Sequence, residues 1–170
     1  MKKVIAASVM VLALGTAASA DVKIGLGYTV SDAIGNNAPT PANIRVPIDF
    51  DFGLRIEPEL GFGTSTVENN TNKTETDQRT IAVGGYYNLW SVEKVNFYAG
   101  GRLALTDGTT DTTNKATGNT VTSDIENTSL QGLFGAEYMF TKDFSFGAQA
   151  GLEYQSGSNG NTDTDSIGTV

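Results

Sequence analysis

After Ala20 the chain alternates apolar and polar residues, and this period of two predicts strands rather than helices. In the first predicted strand, "DVKIGLGYTV", Val22, Ile24, Leu26, Tyr28 and Val30 share one face and Lys23, Gly25, Gly27 and Thr29 the other. The second, "NIRVPIDF", sets Ile44, Val46, Ile48 and Phe50 against Arg45, Pro47 and Asp49. In the third, "LRIEPELGFG" running on toward Val67, Arg55, Glu57 and Glu59 oppose an apolar row. "TIAVGGYYNLW", "VNFYAGGRLAL", "SLQGLFGAEYMF" and "FSFGAQAGLEYQ" continue the pattern, with Leu133 and Met139 as apolar exceptions on a polar row. Pro58 cannot donate a ladder bond, so a bulge or an interfacial position is expected there.

The connections alternate in length. "DFG", "SVEK" and "TKD" are short, whereas "SDAIGNNAPTPA", "ENNTNKTETDQR", "TDGTTDTTNKATGNTVTSDIEN" and the tract after strand seven, "SGSNGNTDTDS", read as long polar loops. In an up-and-down meander, alternate connections emerge at the same end, so one end carries tight turns and the other long loops. Outer-membrane barrels have this asymmetry. If Gly53 takes the left-handed position of a three-residue turn, Phe50 meets Leu54, Ile48 meets Ile56 and Val46 meets Pro58. The same rule pairs Phe140 with Phe144 across "TKD".

Alternation alone does not say which face is inside. A soluble barrel of lipocalin type buries the apolar face; a membrane barrel turns it to lipid. The amino end favours the second. Residues 1–20, "MKKVIAASVMVLALGTAASA", carry Lys2 and Lys3, an apolar run too short to span a bilayer, and the small residues Ala18-Ser19-Ala20, which make a secretory signal peptide with the mature chain starting at Asp21. Phe50, Trp90, Phe97, Phe140 and Phe144 gather near the short-turn end, as an interfacial aromatic girdle would. Residues 21–170 are therefore expected to form one all-β, up-and-down antiparallel transmembrane β-barrel of eight strands in the outer membrane. In lipid every backbone polar group must be paired, and a closed barrel meets that demand.

Lys23, Arg45, Asp49, Arg55, Glu57, Glu59, Arg102, Glu137 and Glu153 then face the lumen. Their signs nearly balance, which predicts a paired plug in so narrow a barrel, with Arg55 and Arg102 answering Glu57 and Glu59. Inward glycines such as Gly84 and Gly135 leave room for the long side chains.

Composition narrows the chemistry. Across 170 residues Asp and Glu exceed Lys and Arg by 19 to 11, a formal charge of -8, which disfavours nucleic acid as a partner. Neither Cys nor His is present. Disulfides, thiolate metal sites and a lipoprotein acylation site are thereby excluded, and the commonest general base is missing. No catalytic residue, cofactor or metal is expected. "NGNTDTD" places Asn159, Asn161, Asp163 and Asp165 at calcium-loop spacing but lacks the central Gly and terminal Glu of an EF-hand, so a solvated loop is the better reading. The sequons at Asn72 and Asn127 follow from the abundance of Asn and Thr.

The strand spacing, the polar loops and stretches such as "LRIEPELGFG" and "FSFGAQAGLEY" resemble the small outer-membrane β-barrels, similar to the OmpA-type transmembrane domain and to OmpX-like and other porin-family barrels. That resemblance implies roles in envelope integrity, adhesion or limited permeability. It also implies, as partners, outer-membrane lipid and an assembly machinery that reads an aromatic residue ending the last strand. This chain departs from the pattern in stopping at "DSIGTV". Only Ile167 to Val170 remain for strand eight, so that strand is expected to be truncated and a further domain to be absent from the sequence. Barrel enzymes of this envelope resemble one another in needing a catalytic His, which argues against enzymatic activity. Three functions stand open: a structural and surface-interaction barrel whose outer loops meet an extracellular ligand, a narrow porin for small solutes, and a soluble periplasmic ligand-binding barrel.

Overall fold

The computed structural model describes residues 22–30, 42–141, 144–159 and 162–170. The expected signal peptide and the loop after the first strand lie outside them. The described residues form one antiparallel sheet of β1 (Val22–Ile24), β2 (Gly27–Val30), β3 (Ala42–Arg45), β4 (Ile48–Phe50), β5 (Leu54–Glu68), β6 (Asn72–Val92), β7 (Val95–Asn114), β8 (Thr120–Met139), β9 (Ser145–Asn159) and β10 (Thr162–Thr169). From β4 to β10 each strand pairs with the next in sequence, while β1 pairs with β4, β2 with β3, and β3 with β5. The ten segments trace the eight expected strands, with β1 and β2 as the first and β3 and β4 as the second; β10 covers only residues 152–159 of β9 and does not pair with β1, so among the described residues the sheet does not close into the expected barrel.

Two prolines explain why the first two strands are interrupted. Arg45 pairs with Glu59 and Ile48 with Ile56, a register that does not shift across the gap. Between them Val46 donates its N–H to the Pro58 carbonyl at 3.0 Å, but Pro58 has no N–H to return. Gly25 donates to the Pro47 carbonyl at 2.9 Å, and again the ring nitrogen cannot reciprocate. Pro58 therefore sits in a regular strand opposite a gap in its neighbour, with no bulge.

The expected turns form. Gly53 adopts φ 88° and closes the β4–β5 turn with its N–H on the Phe50 carbonyl at 3.0 Å. Across the β8–β9 turn Phe140 donates to the Phe144 carbonyl at 2.9 Å. A register shift between Asn88 and Trp90 leaves Leu89 as an extra residue in β6. Strict alternation would put Trp90 on the row of Ala82, Gly84 and Tyr86; the bulge instead pairs it with Phe97.

Two expectations about loops are corrected. The tracts "ENNTNKTETDQR" and "TDGTTDTTNKATGNTVTSDIEN" are largely strand: β6 begins at Asn72 and β7 runs unbroken to Asn114 before β8 starts at Thr120. Thr is a good strand former, and directly opposed Thr pairs bridge the strands, Thr80 to Thr106 at 2.9 Å and Thr113 to Thr120 at 2.9 Å. Likewise the tract after strand seven is a hairpin: β9 reaches Asn159, and β10 begins at Thr162 rather than Ile167. Residues 160 and 161 of the calcium-like run lie outside the described residues.

Candidate functional site

The alternating rows sort by burial. Glu57 and Glu59 are 3% and 2% exposed, and Asn43, Ala82, Tyr86, Ala104, Ser129, Gln131 and Leu133 are buried with them on the inward row. Leu60, Phe62, Leu103, Leu130, Phe134, Phe146 and Leu152, on the other row, are exposed. Ile48 and Pro58 are exceptions, both buried on the outward row.

Inside, the charges of the described residues form two larger groups and a separate pair. In the group farther from the short turns, Glu59 accepts from Asn43 Nδ2 at 2.6 Å and from Arg102 Nη1 at 3.0 Å. Arg102 also donates Nε to Gln131 at 2.7 Å, and Gln131 passes Nε2 to Glu153 at 2.9 Å. Arg102 lies on β7 and Glu59 on β5, so the guanidinium must cross β6. The residues of β6 facing Arg102 and Glu59 are Gly84 and Ala82, small enough to leave that lane open. Nearer the short turns, Arg55 donates Nε to Asp49 at 2.6 Å and Nη2 to Glu137 at 2.9 Å, while Ser145 Oγ donates to the second oxygen of Glu137 at 2.5 Å. Arg45 and Glu57 pair at 3.0 Å.

The partners differ from those expected. Glu57 is answered by Arg45, not Arg55, because Arg55 faces Asp49 directly across the β4–β5 pair and reaches on to Glu137. Lys23 forms no ion pair among the described residues. It opposes Asp49 in register, but both oxygens of Asp49 already accept from Arg55. Asn43 and Gln131, absent from the expected set, complete the inner group; a buried amide carries no signature in sequence until its strand partners are known.

Two tyrosines fill the remaining width. Tyr86 and Tyr98 meet edge to face at 5.6 Å, and the Arg55 guanidinium lies 5.9 Å from the Tyr98 ring centroid. Tyr86 lies over the space a side chain at Gly84 would need, and Tyr98 over that at Gly135.

On the outward side Trp90 stacks on Phe97 at 4.9 Å, and Phe134 lies 6.2 Å from Trp90. Phe140 contacts Phe144 at 5.6 Å and Tyr138 at 4.9 Å, and Phe50 contacts Phe52 at 5.4 Å. Strict alternation conceals neither Phe134 nor Tyr138; both stand on the apolar row of strand six. Toward the other end the outward apolar row stops at the aligned residues Phe62, Arg79, Asp107 and Glu126. From Phe97 to Leu105 the outward row of β7 is uncharged, which matches the 9 to 11 or so residues a tilted strand needs to cross the hydrocarbon core.

Beyond that charged row β6 and β7 continue to the hairpin tips. Asn69 Oδ1 accepts from the N–H groups of Thr71 and Asn72, and Asn114 Oδ1 from those of Ala116 and Thr117, so an Asn side chain shapes each turn. Lys115 joins the two tips, with Nζ 2.7 Å from Glu68 and 2.6 Å from the Asn69 carbonyl. Its ammonium lowers the Glu68 pKa, and Glu75 raises that of Lys73.

No group of acids placed to hold a metal ion occurs among the described residues. A structural comparison finds likeness to the crystal structure of Ail, the attachment invasion locus protein of Yersinia pestis, at 14% identity and a TM-score of 0.49, over 87% of this chain and 90% of that one. No curated protein matches the sequence. The family model described as the outer membrane protein beta-barrel domain matches residues 4–169. Because that match takes in every strand from β1 to β10, the chain belongs to the outer membrane protein β-barrel domain family, and its place is the outer membrane.

Proposed function

We propose that the protein is a structural and surface-interaction barrel of the cell envelope, held rigid by its inward ion pairs and meeting an extracellular ligand through its outer hairpins. One observation carries this reading. β6, β7 and β8 are 21, 20 and 20 residues long, roughly twice what a bilayer crossing uses. At about 3.3 Å per residue, the surplus raises a paired sheet on the order of 30 Å above the membrane. Strand that is neither in lipid nor in the barrel interior has no part in anchoring, and a sheet displays side chains in fixed rows where a loop would not. Outer-membrane lipid covers the apolar rows, and the envelope's assembly machinery inserts the barrel. The reading includes no catalytic step, since Glu57 and Glu59 are engaged by Arg45, Arg102 and Asn43.

With the chain in the outer membrane, a soluble periplasmic binding barrel falls away. The narrow porin is opposed by the ion pairs that link facing walls. The test removes Thr109–Asp124 and closes the hairpin with Asn-Gly. The shortened protein should still fold and insert, while cells carrying it lose attachment to surfaces that cells with the intact protein bind. Equal attachment by both would end the surface role. In planar bilayers the intact protein should give no steady channel; a steady current that Arg102→Gln alters would establish the porin instead.

A further inference from the structure

A cavity of about 440 Å³ opens at the short-turn end, lined among the described residues by Lys23, Glu93, Lys94, Asn96 and residues 139–141. Among the described residues its charge is opposite to that of the chain, two ammonium groups against one carboxylate in a protein of net charge -8. The acids just inside cannot neutralise it. Asp49 has both oxygens on Arg55, and Glu137 divides its two between Arg55 and Ser145. Lys94 is presented by the two-residue turn between Val92 and Val95, in which Glu93 takes φ 53°, a left-handed conformation unusual for a residue with a side chain.

The surroundings identify the ligand. Phe140 is 52% exposed and belongs to the outward aromatic cluster with Tyr138 and Phe144, so the cavity lies where the barrel mouth meets the membrane surface. Short turns of such barrels face the periplasm, which makes the adjacent lipid the phospholipid of that leaflet. We propose that this cavity binds the phosphate headgroup of an anionic phospholipid, with Lys23 and Lys94 on the phosphate and Phe140 against the start of an acyl chain. The site is independent of the outer hairpins.

The test uses the full mature chain in a neutral detergent, exposed to phosphatidylglycerol and read by native mass spectrometry. The intact protein should retain the lipid, and Lys23→Gln and Lys94→Gln should each lower retention about fivefold, the effect of one basic residue near an anionic surface. Lys94→Arg should restore it. Lys94 lies in an exposed turn, so its two variants decide the matter even if Lys23→Gln does not fold. Retention unchanged in Lys94→Gln, or lowered equally by Lys73→Gln at the far end of the molecule, would overturn the proposal. A second arm titrates inorganic phosphate while following the Lys94 and Asn96 amides by NMR. Saturation by phosphate, with no further change on adding phosphatidylglycerol, would make this a site for the free anion and defeat the lipid assignment.

Discussion

Arg102 holds a deeply buried carboxylate. It is 10% exposed, and its partner Glu59 is 2% exposed, so removing the guanidinium leaves a desolvated carboxylate with only the Asn43 amide. Arg102→Ala should cost about 3 to 5 kcal/mol, whereas replacing Arg102 and Glu59 together by Met and Leu should cost clearly less, the remainder coming from the Asn43 and Gln131 amides that lose a partner. Urea unfolding in lipid vesicles, followed by the gel mobility of unheated samples, measures both; equal losses in the single and double variants would contradict the pairing. Gly84→Ala tests the packing beside it. The added methyl must displace the Tyr86 ring, and the same assay should register a loss of about 1 to 3 kcal/mol. The identity of the inward charges was legible from parity alone, since a strand offers only two faces. Their partners were not. Arg55 could have answered Glu57 on any reading of one strand; the register with β4 gives it to Asp49, and curvature of the wall brings Glu137 within reach.

The strands were read correctly where one row was apolar and missed where both rows were polar. Ile81 to Leu89 announces itself because lipid demands an unbroken apolar row. Lys73 to Thr80 does not, since water accepts either row and only the cross-strand Thr pairs and β propensity hold the chain extended. The outer hairpins should accordingly behave as sheet. Amide exchange of Gln78 and Thr110 should be slowed well beyond that of an open loop, and trypsin should leave Arg79 uncut in the folded protein; rapid cutting there would return the tract to loop. The tips have their own pH dependence. Lys115 holds the Glu68 carboxyl below its ordinary pKa, so the pairing is complete above the ordinary carboxylate range and is lost as pH falls through the depressed value. The protection of the Lys115 amide, bonded to the Thr71 carbonyl at 2.9 Å, should fall at pH 3 relative to pH 6 once each rate is divided by that of an unprotected amide at the same pH. Both groups are exposed at the tips, so the change belongs there and not to the barrel.

The molecule as a whole is divided into three zones by features that line up across strands: an aromatic ring at the short-turn end, an uncharged outward band, and the row of Arg79, Asp107 and Glu126 at its far edge. The single tryptophan of the chain reports on this division directly. Trp90 is 50% exposed, stacked on Phe97, and turned outward only because Leu89 is an extra residue in β6. Tryptophan prefers the headgroup level, where its ring is half apolar and its N–H can find a partner. In vesicles carrying brominated lipids, Trp90 emission should be quenched most by bromines placed near the glycerol backbone and least by those at the chain ends. Deletion of Leu89 removes the bulge and leaves Trp90 directly after Asn88, still opposite Phe97 and outward, so the depth at which bromines quench best should be kept. Quenching strongest at the bilayer centre would move the whole apolar band along the barrel, and with it the level at which the charged row and the outer hairpins emerge.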